Sequence, residues 1–147
     1  MKKHLKAMAC ITAATLMSVS AHAGLSQPAV VNVDMDNLFA GGDMISARGA
    51  KEDNVFIGCG TRNVEDGSGG LFSWAFCQAA DADEEQVTCF TFNPDLVKTI
   101  REINDASYIT FSWTDDGAGT LTCTRMGFST QSFYLPKQKK PKKKKDD

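Results

Sequence analysis

Histidine is the first thing this chain runs short of. It has two, His4 and His22, in 147 residues, and both fall in an N-terminal stretch that reads as a removable export signal. The chain left after removal would have none. That excludes Ser-His-Asp and Cys-His catalysis and zinc sites built on imidazole. Long apolar runs are scarce too. The stretch 7–19 is predominantly apolar and uncharged but has only 13 residues, too few to span a bilayer as a helix. No later segment is long and apolar enough to do so. There is no CxxC pair and the cysteine spacings are wide, so no metal-thiolate site is expected. Internal repeats are also missing, and no sequence feature asks for a cofactor.

The N-terminus combines Lys2, Lys3 and Lys6, the short apolar core, and the small-residue triplet Ala21-His22-Ala23. Positive start, apolar core and small-x-small site define a secretory signal peptide, with cleavage expected after Ala23. Cys10 lies inside the apolar core, four residues after Lys6, where lipid attachment would leave no usable signal. The expected layout is a signal peptide at 1–23, one compact β-rich domain at 24–136 and a disordered lysine-rich tail at 137–147. The expected location is periplasmic or secreted.

Charge is unevenly spread. Residues 24–136 hold 6 basic and 16 acidic side chains, a formal charge of −10, whereas the last eleven residues carry seven lysines and two aspartates. Lys137, Lys139, Lys140, Lys142, Lys143, Lys144 and Lys145 are candidate contacts for an anionic polymer or membrane surface. No aromatic residue is interleaved with them, so base stacking and sequence-specific nucleic acid binding find no support. The alternative reading is a solubilising end.

Four cysteines remain after the signal: Cys59, Cys77, Cys89 and Cys123. An even set in an exported chain implies two disulfides. The segments 71–79 and 86–92 read as a hairpin across the polar turn 80–85. Placing Cys77 opposite Cys89 also sets Phe76 opposite Phe90 and Trp74 opposite Phe92. On that register the preferred bonds are Cys77–Cys89 and, by elimination, Cys59–Cys123. Sequence alone leaves all three pairings open.

Further strands are expected at 28–36, 44–50, 55–60, 108–113, 120–126 and 130–135, with loops at 37–43 and 61–70. One helix is expected at 93–104. Asn93 is a suitable N-cap, Pro94 suits the first turn, and Leu96, Val97, Ile100 and Ile103 form one apolar stripe. The fold class is α+β, mostly β: a small disulfide-stapled antiparallel sheet of six or seven strands with one covering helix.

Several groups invite a chemical reading. Asp81, Asp83, Glu84 and Glu85, and then Asp115 and Asp116, cluster in turns but match no EF-hand loop. They read as solvated turns. The segment Gly67-Ser68-Gly69-Gly70 lacks the lysine and βαβ setting of a phosphate loop. Trp74, Trp113, Tyr108 and Tyr134 belong either to the core or to a platform for sugars or a protein partner. The face carrying Trp74, Phe76, Phe90 and Phe92 is core if the helix covers it and a binding patch if it stays open. The favoured function is a non-catalytic binding module for a protein, glycan or anionic surface. The first alternative is a secreted inhibitor or toxin-like effector presenting a stapled loop at 61–70 or 80–85. The third is a carboxylate-based hydrolase, which needs two acids facing one cleft.

Overall fold

Alternating apolar and polar residues organise nearly half of the described residues into strands. The computed structural model describes residues 25–136. The expected signal peptide at 1–23 and the lysine-rich stretch at 137–147 lie outside the described residues. Seven strands form one sheet: β1 (Asn32–Asp34), β2 (Phe39–Asp43), β3 (Phe56–Glu65), β4 (Leu71–Ala80), β5 (Gln86–Thr91), β6 (Tyr108–Asp115) and β7 (Leu121–Ser129). Their order is β1-β2-β6-β7-β5-β4-β3. A short helix α1 (Met44–Arg48) follows β2, and α2 (Pro94–Arg101) follows β5. This is the expected mostly-β, two-disulfide sheet with α2 as its covering helix. One junction departs from the antiparallel expectation: β5 and β7 run parallel, with Phe90 paired to Thr122.

The β4–β5 hairpin adopts the register read from sequence, with Cys77 opposite Cys89 and Phe76 opposite Phe90, but pairing ends at Ala75 and Thr91, so the expected Trp74–Phe92 pair is not formed. The helix that follows is capped by the Asn93 side chain, which accepts from the Asp95 N–H at 2.9 Å and the Leu96 N–H at 3.4 Å. Such a cap contributes about 1 kcal/mol. The helix stops at Arg101, sooner than expected, and buries Val97 and Ile100. These join Ala75, Cys77, Ala79, Cys89, Ile109, Phe111, Trp113 and Cys123 in one core.

The disulfides correct the preferred pairing. They are Cys59–Cys77 and Cys89–Cys123, with Cα–Cα separations of 4.0 and 5.1 Å. Register explains why. Cys59 lies opposite Cys77 and Cys77 opposite Cys89, while β7 brings Cys123 beside β5. The four cysteines form a row across β3, β4, β5 and β7. Bonding the middle pair would strand the outer two three strand spacings apart, about 14 Å, twice the reach of a disulfide.

Other local expectations also change. Of the expected loop 37–43 only Asn37 and Leu38 are turn, because β2 takes up the rest. Its Gly41-Gly42 pair serves close packing: a Cβ on Gly42 would lie 2.8 Å from the Val31 Cα. The expected strand at 44–50 is helical instead. Asp43 acts as its N-cap, accepting from the Ser46 N–H at 2.7 Å, and Gly49 closes it. Only three residues of 28–36 pair as β1. The expected loop 61–70 shrinks to its glycine-rich end because β3 continues to Glu65. The expected last strand at 130–135 contains a 3-10 turn at Ser132–Tyr134, whose Tyr134 stacks on Tyr108 at 5.4 Å.

The sheet curls so that β1 approaches β4 and β2 approaches β3. A buried contact ties these edges: the Val33 N–H donates to the Asp81 carboxylate at 3.0 Å. The same carboxylate accepts from Asp83 and Glu85 at 3.0 and 3.1 Å. Replacing Asp81 by Ala would leave a buried N–H without its acceptor. A loss of about 1–3 kcal/mol is expected, read as a lower urea midpoint.

Peptide mapping without reduction should recover Cys59 linked to Cys77 and Cys89 linked to Cys123. The closed loops span 18 and 34 residues. Paired Cys→Ser variants should therefore lose about 3 and about 4 kcal/mol respectively on the chain-entropy model. A Cys77–Cys89 peptide would contradict this pairing.

Candidate binding face

The sheet has two unlike faces. On β4 the odd positions Ala75, Cys77 and Ala79 are buried in the core, and α2 packs on that side. Its Arg101 guanidinium donates to Asn63 Oδ1 and Ser73 Oγ, both at 2.9 Å. The even positions Phe72, Trp74, Phe76 and Gln78 point the other way. There they meet Arg62 and Val64 of β3 and Thr88 and Phe90 of β5. No described helix covers this side, so the aromatic face is open.

Its geometry follows from the register. Trp74 lies 6.0 Å from Phe76 and 5.9 Å from Phe90, ring centre to ring centre, both tilted. Phe90 is 40% exposed, Phe72 45% and Phe92, just beyond β5, 69%. Opposite Phe76 sits Gly60, where a Cβ would come within 2.9 Å of the ring. The glycine lets the ring lie over β3. Arg62 pairs in register with Trp74, and its guanidinium stands 5.0 Å from the Phe76 centroid, within cation–π range. One of its N–H groups donates to the Thr61 carbonyl at 2.9 Å, which fixes the fork.

The other sequence candidates fall elsewhere. Trp113 is core, 2% exposed, and Tyr108 and Tyr134 stack on each other near the C-terminal turn. The two acidic turns are not brought together. Asp115 accepts from Gly117, and Asp116 accepts from Ala118 and Thr120, so these carboxylates fold their own turn. Asp66 does the same for the Gly67-Ser68-Gly69-Gly70 segment, accepting from Ser68 and Gly70.

A polar depression of about 280 Å³ gathers Asp34, Asp36, Asp81, Asp83 and Glu85. No set of three or more His, Cys, Asp or Glu side chains suited to a metal ion occurs among the described residues. An apolar concavity of about 450 Å³ lies between α1 and the chain before β1, lined by Val30, Val31, Ile45, Ala50, Val55 and Ala82. Sequence reasoning did not anticipate it, since its walls come from segments distant in the chain. The candidate lysines 137–145 lie outside the described residues.

No family model, curated protein or solved structure matches this chain.

Two carboxylates are held below the ordinary aspartate range. For Asp34 the main cause is the Asn37 side-chain amide, and for Asp66 it is the Ser68 hydroxyl. A depressed folded-state value adds stability above the unfolded value and loses it as pH falls through the folded one. Carboxyl-carbon NMR titration should place both midpoints below that of an unstructured aspartate. Asn37→Ala should return the Asp34 midpoint toward it.

Proposed function

We propose that this chain is an exported, non-catalytic binding module for a protein, glycan or anionic surface, with the open aromatic face of β3, β4 and β5 as its contact surface. The observation carrying this reading is that Phe72, Trp74, Phe76 and Phe90 share the sheet face that α2 does not cover, with Phe92 exposed just beyond the end of β5. Burying one such ring is worth about 1.5–3 kcal/mol, so a stapled sheet that leaves several exposed suits an interaction role. The two disulfides fit an oxidising compartment. In this reading, residues 1–23 direct export to the periplasm or beyond and are removed. The lysines of 137–147 supply a second, purely electrostatic contact to anionic polymers or headgroups.

The rival reading, an inhibitor or toxin-like effector presenting a stapled loop, has less support. Its two candidate loops lie at opposite ends of the ten-residue β4, about 30 Å apart, and each is folded on its own aspartate. A carboxylate-based hydrolase would use the depression around Asp34 and Asp81. Asp81, however, spends its oxygens on three backbone N–H groups.

The test compares the full mature chain, a form lacking 137–147, and a Phe90→Ser/Phe92→Ser double variant. Each is passed over heparin, anionic vesicles and immobilised polysaccharides at low and high salt. Tail deletion should abolish the salt-sensitive retention on heparin and vesicles. The double variant should lose the salt-resistant retention while keeping both disulfides and its circular dichroism. Identical retention by all three forms would refute the assignment of contact to either surface.

A further inference from the structure

Resting on the binding-module reading, we infer that the aromatic face is built for a linear acidic glycan, a chain of sugar rings carrying spaced carboxylates. Three observations narrow the ligand: the charge on the face, its dimensions, and the neighbours of its rings.

Charge comes first. The domain has 16 acidic and 6 basic side chains before its tail, yet none of the outward positions on β3, β4, β5, β7 or β6 is Asp or Glu. Two of these positions are arginines. Arg62 lies on the β3 side of the aromatic row. Arg125, opposite Ser112, lies on the β7 side. In a domain of strong negative charge, these five strands thus present an acid-free surface flanked by guanidinium groups, and the outward register positions held by acids, Asp34 and Asp43, fall on β1 and β2. Arginine forks match carboxylates two bonds at a time.

Dimensions come next. From Phe72 to Gln78 the row runs about 20 Å along β4, and the three strands span about 10 Å between their outer axes. The resulting patch, of order 200 Å², is small beside the ~800 Å² per partner of a stable protein interface. It is narrow enough for one extended chain. Sugar rings present C–H faces that lie on aromatic rings, and their hydroxyls find Gln78, Thr88 and Thr122 beside the row. Single-stranded nucleic acid also combines rings with negative charge, but its charge density is high. A domain of charge −10 with two arginines on this face offers few phosphate contacts. Sparse carboxylates fit the count better.

Trp74 provides a local reporter, because Trp113 is buried in the core. The full mature chain is titrated with tetragalacturonate, with cellotetraose as the neutral control and a short oligothymidylate as the nucleic acid control. Tryptophan emission is followed throughout. Tetragalacturonate should shift the emission. Arg62→Gln should weaken its binding about fivefold. Phe92→Ser, at an exposed position, should weaken it by a similar factor with an unchanged unfolding midpoint. Equal binding of cellotetraose, indifferent to Arg62→Gln, would overturn the acidic-glycan assignment and leave a neutral-glycan module. Tighter binding of the oligothymidylate would overturn it in favour of nucleic acid. No emission change with any ligand, together with unaltered retention of the Phe92→Ser chain on every support, would remove the face itself and the reading beneath it.

Discussion

The structure depends on one alignment: four strands each place a cysteine at the same level. Cys59, Cys77 and Cys89 are in direct register, and Cys123 completes the row by bonding to Cys89. The two bonds fall at the junctions that most need them. Cys59–Cys77 ties down β3, a sheet edge whose last residues are exposed. Edge strands are where pairing frays or recruits other chains. Cys89–Cys123 ties the parallel β5–β7 junction, where only Phe90 and Thr122 are paired among the described residues. That junction also closes the longer excursion, through α2 and β6, and so carries the larger entropic cost. The junction left without a disulfide, β4–β5, is a hairpin with six residue pairs and needs none.

From that row the sidedness of the sheet follows. The cysteines point to the face that α2 covers, so their neighbours one residue along must point out. Phe76 and Phe90 flank Cys77 and Cys89 in sequence and are therefore turned to the other face. The staple and the aromatic row are two readings of the same register. A slip by one residue would bury the aromatics and expose the sulfurs.

Sequence reasoning reached what is local and missed what is not. The β4–β5 register was legible because turn, cysteines and phenylalanines all agree within about twenty residues. The start of α2 was legible because Asn93, Pro94 and the apolar stripe coincide. Strand β2 was not, because Gly41 and Gly42 look like turn residues. Only the fold shows that Val31 crosses closely over Gly42. Helix α1 is held by the Asp43 cap and one buried alanine, too short a pattern to show a period. The disulfide error came from sheet order. A cross-strand cysteine pair was correctly aligned, yet the neighbour on its other side competes for the same sulfur, and nothing local announces that neighbour.

The aromatic face was half legible, and the reason lies in β4 itself. An antiparallel strand with one solvated face alternates apolar and polar residues. From Leu71 to Ala80 this strand is apolar on both faces, with Phe72, Trp74 and Phe76 interleaved with Ala75, Cys77 and Ala79. That pattern normally marks a strand covered on both sides. Here α2 can cover one side only, and the carboxylates that could have solvated the other are folded into turns at Asp66, Asp81, Asp115 and Asp116. The apolar excess on β4 is therefore unused by the domain's own core. A surface the fold neither buries nor lines with carboxylates is where an external ring system has the most solvation energy to recover.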